Sequence, residues 1–178
     1  MERIKIVVIL LQLIDSLTKH ESWCGETHVQ KATYSLQKLQ NVPLNFNFIL
    51  YKHGPFSFDL RDELTAMRAD GLIAFKIVNE SYGPRLIITE RGKEIQKQFV
   101  KIINQYEKNI EFIGTKLGHK GVVELERIAT ALYVTKDLNI KNDEKRISMI
   151  TNLKPHIKPE QATKAFKEID ALIKSSNN

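Results

Sequence analysis

The 178 residues contain a single cysteine, Cys24. That excludes a disulfide within the chain and a zinc site built from several thiolates. A lone thiol suits a reducing cytoplasm, which is the expected location. Five prolines and eight glycines are scattered, leaving no low-complexity tract, internal repeat or flexible linker. Long apolar runs are missing too. Ile6 to Leu11 follows Arg3 and Lys5 but soon meets Gln12 and Asp15. It is too short to span a bilayer, and no small-residue cleavage site follows it. It reads as part of a core helix, and no membrane association is expected.

Catalytic signatures are equally scarce. Gly114, Gly118 and Gly121 lack the Gly-Lys-Ser/Thr of a phosphate loop. Neither a zinc-protease motif nor a pair of catalytic carboxylates is apparent. His20, Cys24 and His28 are spaced by four, a metal-ligand spacing on one helix. Gly25 and a cap at Thr27 argue against one helix through them, so Cys24 reads as a small buried hydrophobe. A non-enzymatic protein without cofactor or metal is expected.

Hydrophobic residues make up 42% and charged residues 27%, the balance of a folded globular chain. The net charge of +6 is unevenly placed. Residues 1–90 carry 10 basic and 10 acidic side chains, and residues 91–178 carry 17 and 11. A basic surplus permits binding to nucleic acid or to an acidic protein.

Periodicity predicts a helix over 3–18 and a second from Thr27 to about Gln40, ended before Pro43. Residues 46–51 read as a short strand, and His53-Gly54-Pro55 as a turn. Ser57 caps a third helix that stops at Asp70-Gly71. Residues 72–78 and 85–89 form a β-hairpin with a long tip that includes Tyr82. Thr89 caps a long helix over 90–117, whose apolar residues from Ile95 to Leu117 make a heptad-like stripe. A bend near Glu107-Lys108-Asn109 would shorten it. Helices follow at about 122–138, 143–153 and 160–174, the last started by Pro159. The expected fold is mainly α with a small antiparallel β component. It is a winged-helix N-terminal domain, 1–90, with a helical bundle, 91–178, packed on it.

Five short motifs stand out: Val29-Gln30-Lys31-Ala32-Thr33-Tyr34-Ser35-Leu36-Gln37-Lys38-Leu39, Tyr51-Lys52-His53-Gly54-Pro55-Phe56-Ser57, Asp70-Gly71-Leu72-Ile73, Ile88-Thr89-Glu90-Arg91-Gly92 and Leu153-Lys154-Pro155-His156. Together they resemble the motifs of the YwgA-like winged-helix family. A more distant likeness is to the Panacea (SocA-like) antitoxin domains. The first resemblance implies a bacterial winged-helix protein without a defined catalytic set. The second implies a protein partner, typically a toxin.

Two uses of such a fold follow. A winged-helix regulator would bind double-stranded DNA through basic helix faces and the wing. Its candidate contacts are Arg61, Arg68, Lys76, Arg85, Arg91, Lys93, Lys97 and Lys101, with Lys141, Lys145, Arg146 and Lys154 further on. Against it, some 16 residues separate the second and third helices, where a tight helix-turn-helix has three or four. The third helix also carries Asp59, Asp62 and Glu63, which phosphates repel. The alternative is a protein-binding module, such as an antitoxin or a subunit of a larger assembly. The stripe over 90–117 is a candidate homodimer seam.

Overall fold

The computed structural model describes residues 1–78 and 83–176. It is mainly helical, 66%, with two small antiparallel sheets. In chain order the elements are α1 (Arg3–Lys19), α2 (Glu26–Leu39), β1 (Ile49–Tyr51), β2 (Gly54–Phe56), α3 (Phe58–Ala69), β3 (Ile73–Lys76), β4 (Arg85–Ile88), α4 (Glu90–Gln98), α5 (Val100–Leu117), α6 (Val122–Lys136), α7 (Asp143–Leu153) and α8 (Pro159–Ser176). Among the described residues no helix is long and apolar enough to cross a membrane.

α1 and α2 form the centre. From Val7 to Leu17 only Gln12 and Asp15 reach solvent, and α2 is buried on every side from His28 to Leu36. One apolar cluster joins them to α3, the second hairpin, α5, α6, α7 and α8. α5 runs beside α1 in the same direction, Ser16 meeting Glu111 and His20 meeting Thr115. Glycines permit this approach. A Cβ on Gly114 would lie 2.1 Å from Ser16 Oγ, and one on Gly118 2.6 Å from His20 Cβ.

The hairpin of β3 and β4 has the register Ile73↔Ile88 to Lys76↔Arg85. Its expected tip, with Tyr82, falls outside the described residues. Ser57 and Thr89 cap their helices as anticipated, accepting from the N–H groups of Leu60 and Gly92. Thr27 does not cap α2. The cap position is Gly25, in an extended conformation and without a side-chain bond.

Two further expectations change. The single helix over 90–117 is broken at Phe99 (φ −112°, ψ 33°), not bent near Glu107. α4 is pinned to the second hairpin, because a Cβ on Gly92 would lie 2.3 Å from the Leu72 carbonyl oxygen. α5 has to follow α1, and one straight rod cannot do both. The stripe's last members, Ile110, Ile113 and Leu117, are buried in the chain's own core, so that stretch of the supposed dimer seam is already covered. The strand read over 46–51 is shorter, and its partner is the segment read as a turn. β1 pairs with β2, Ile49↔Phe56 to Tyr51↔Gly54.

Candidate interaction surface

The 53–57 turn is shaped by what it packs against. Gly54 has φ +87°, and a Cβ there would meet Thr130 Oγ1 at 3.1 Å and the Glu126 carbonyl oxygen at 3.4 Å. The positive φ calls for glycine, and a side chain there would also need its neighbours to give by a few tenths of an ångström. Gln30, wholly buried in α2, holds Ser57 with both ends of its amide. It donates to the Ser57 carbonyl and accepts from the Ser57 N–H, each at 2.9 Å. The next residue, Lys31, donates to the Pro55 carbonyl at 2.8 Å. Lys154, from the end of α7, donates to the carbonyls of Tyr51 and Lys52.

These two buried ammonium groups clasp the first hairpin to the helices. Burial brings Lys31 down to about 8 and also lowers Lys154. Glu126 of α6, itself buried, is the counter-charge, 3.8 Å from Lys154 Nζ. His156 Nε2 stands 3.2 Å from Glu126 Oε1 without the alignment of a hydrogen bond, and His53 Nδ1 is 3.7 Å from Oε2. The clasp escaped sequence reading. Its one local signal is a carboxylate among the apolar residues of α6.

Held this way, the hairpin and the start of α3 present a ring cluster to solvent. Tyr51, Phe56 and Phe58 lie with ring centres 5.2 to 5.8 Å apart. Tyr51 is 54% and Phe58 41% exposed. The Arg61 guanidinium sits over Phe58 at 5.0 Å. One face further along, Arg68 lies over Phe75 of β3 at 3.8 Å. Phe75, Ile77, Val78 and Ile87 are exposed along the second hairpin. Stacked guanidiniums keep their N–H edges available to carboxylates or phosphates.

The remaining predicted contacts divide. Arg85 is half-buried, over Trp23 at 5.5 Å and bonded to the Ser22 carbonyl at 3.3 Å. Lys76, its register partner, is exposed. Arg91, Lys93, Lys97 and Lys101 are exposed on α4 and the start of α5, with Lys93 paired to Glu90 at 2.7 Å. Lys141 and Lys145 are exposed as well. Arg146 and Lys154 are not surface cations. Arg146 is buried against Phe166 and bonds both oxygens of Asp170, at 2.8 and 3.2 Å. Lys154 is taken by the clasp. Alternation and spacing do not reveal a charge drawn inward by a partner 24 residues away.

The acids of α3 are partly committed: Arg3 bonds Glu63 at 3.0 Å and Asp70 at 2.8 Å. Asp59 and Asp62 are exposed, and Asp62 accepts a long bond from the Arg61 guanidinium at 3.5 Å. His20 bonds Glu111 at 2.6 Å, and burial pushes the Cys24 thiol up to about 11. Among the described residues no group of three or more His, Cys, Asp and Glu is arranged to hold a metal ion. In comparisons with protein-family models and with curated proteins, nothing matches the chain.

Proposed function

We propose that the chain is a non-enzymatic binding module of winged-helix type whose partner is another protein. Its docking face is α3 between the two hairpins, with β3–β4 as the wing. The observation that carries this reading is the set of exposed rings Tyr51, Phe58 and Phe75, two of them bearing stacked arginines. Aromatic residues and arginine are what the buried centre of a protein interface favours. The partner would offer apolar groups to the rings and neutral hydrogen-bond acceptors, such as backbone carbonyls, to Arg68, since Arg61 already faces Asp62 at 3.5 Å. Asp59 and Asp62 on the same face disfavour a phosphate backbone. The YwgA-like resemblance accords with the winged-helix order, and the Panacea resemblance with a protein partner.

Duplex DNA is the second reading. It is favoured by the exposed cations Arg91, Lys93, Lys97 and Lys101. One pair of measurements separates the two. A photo-crosslinking residue placed at Tyr51 or Phe75 in the source cell is expected to trap one protein, in a nuclease-resistant adduct, while the same residue at Lys167 does not. Duplex binding that weakens steeply with salt, and falls when Lys93, Lys97 and Lys101 become alanine, would overturn the protein reading in favour of DNA.

A further inference from the structure

Two helices begin at a common groove. α2 starts after Gly25 and α6 after Gly121, and neither cap residue supplies a side-chain acceptor. The first N–H groups of a helix lack internal partners and carry the positive end of its dipole. Between the two starts lies a groove of about 490 Å³, walled by Trp23, Phe75, Val122 and Val123. His28 lines it and also lines an adjoining hollow of about 400 Å³.

His28 is only 3% exposed, and its Nδ1 is buried without a hydrogen-bond partner. Burial holds the imidazole below its ordinary value, so it is neutral at pH 7. Nδ1 faces the groove's glycine: a Cβ on Gly25 would lie 3.7 Å from it and 3.3 Å from Trp23 Cδ1. An orphaned polar atom is costly, and a ligand that supplies its partner recovers that cost.

The surrounding charges narrow the ligand. Glu26 lines the groove and Glu21 the hollow. Lys120, beside them, is already bound to Glu124 at 2.6 Å and Glu168 at 2.7 Å. An anion therefore meets two carboxylates, while the guanidiniums of Arg85 and Arg68 are stacked on ring faces and are not among the described residues that line the groove or the hollow. A cation meets rings over which Arg85 and Arg68 already lie. Backbone N–H donors, a neutral imidazole and apolar walls remain. We propose that this groove binds a flat, uncharged, carbonyl-bearing heterocycle of the nucleobase or nicotinamide kind. Its carbonyl meets the helix starts, its ring nitrogen meets His28, and its ring lies beside Trp23 and Phe75.

Trp23 is the one tryptophan in the chain, so its fluorescence reports on the groove directly. The full chain is titrated with uracil and nicotinamide, and with their anionic counterparts orotate and nicotinate. The expected result is a change saturating below about 5 mM for at least one neutral ring, within reach of a ligand of that size. Its anionic counterpart should bind at least about tenfold more weakly. Gly25→Ala, tolerable at φ −76°, fills the floor, and Val123→Glu crowds a rim residue that is 60% exposed. Each is expected to weaken binding about tenfold or more. Absence of saturation with all four probes overturns the proposal. So does equal affinity for neutral and anionic rings, or unchanged binding in the variants. If Gly25→Ala loses its helical circular dichroism, Val123→Glu decides.

Discussion

Lys31 reaches from the buried middle of α2 to the carbonyl of Pro55, 2.8 Å away, and carries its ammonium into a place where it is 2% exposed. The unfolded chain keeps that proton to about the ordinary lysine value of 10.5, whereas the folded chain gives it up near 8. Between those limits the unfolded state binds more protons, so this residue's contribution makes stability rise with pH. Urea unfolding at pH 7.5 and 9.5 should show the folded state gaining up to about 2 kcal/mol relative to Lys31→Met, which lacks the group. A parallel pH response in the variant would refute the assignment.

Replacing Gly114 with alanine sets a methyl 2.1 Å from Ser16 Oγ and forces α1 and α5 apart. The expected loss is about 3 kcal/mol in denaturant unfolding. Ser16→Ala in the same chain should return part of it, so the double variant is more stable than the sum of the singles allows. Strict additivity would place the strain elsewhere.

Arg146 and Lys145 are neighbours of the same sign with opposite fates. Arg146→Ala leaves Asp170 without its bidentate partner and empties the space against Phe166. It should cost about 3 kcal/mol. Lys145→Ala, at an exposed site, should stay within about 0.5 kcal/mol. Thermal melts of the two single variants test the contrast.

Cys24 is fully buried, with a thiol pushed up to about 11. Thiolate is the reactive form, so the native chain should react with a disulfide reagent far more slowly than the urea-unfolded chain at pH 8. Equal rates would mean that the connection between α1 and α2 opens freely.

The elements written locally were readable. Residues 143–153 were expected as a helix and Asp143–Leu153 is one, with Asn142 as its cap. Ser57 and Thr89 announced the starts of α3 and α4, because a cap is decided within three residues of its helix. What distant partners decide stayed hidden. His53-Gly54-Pro55 reads as a turn by composition, yet Gly54-Pro55-Phe56 pairs as a strand, with Lys31 bonded to the Pro55 carbonyl, Gly54 packed against Thr130, and Lys154 holding the opposite arm at Tyr51 and Lys52. The break at Phe99 answers to Leu72 on one side and Ser16 on the other. Sequence reading likewise found the arginines of α3 but not the rings beneath them: Phe58 stands three residues before Arg61 on the same helix, a spacing that could have shown that pair, whereas Phe75, beneath Arg68, lies on another element.

The outer edge of β4 is stitched to the connection between α1 and α2. Leu86 N–H donates to the Cys24 carbonyl at 2.9 Å, Arg85 to that of Ser22, and Trp23 Nε1 to that of Gly83. The second hairpin is thus anchored at the root of α2, a few residues before Gln30 and Lys31, which hold the first. One short stretch of chain, 22–31, carries the footing of both arms, so a substitution that displaces it should disturb both together.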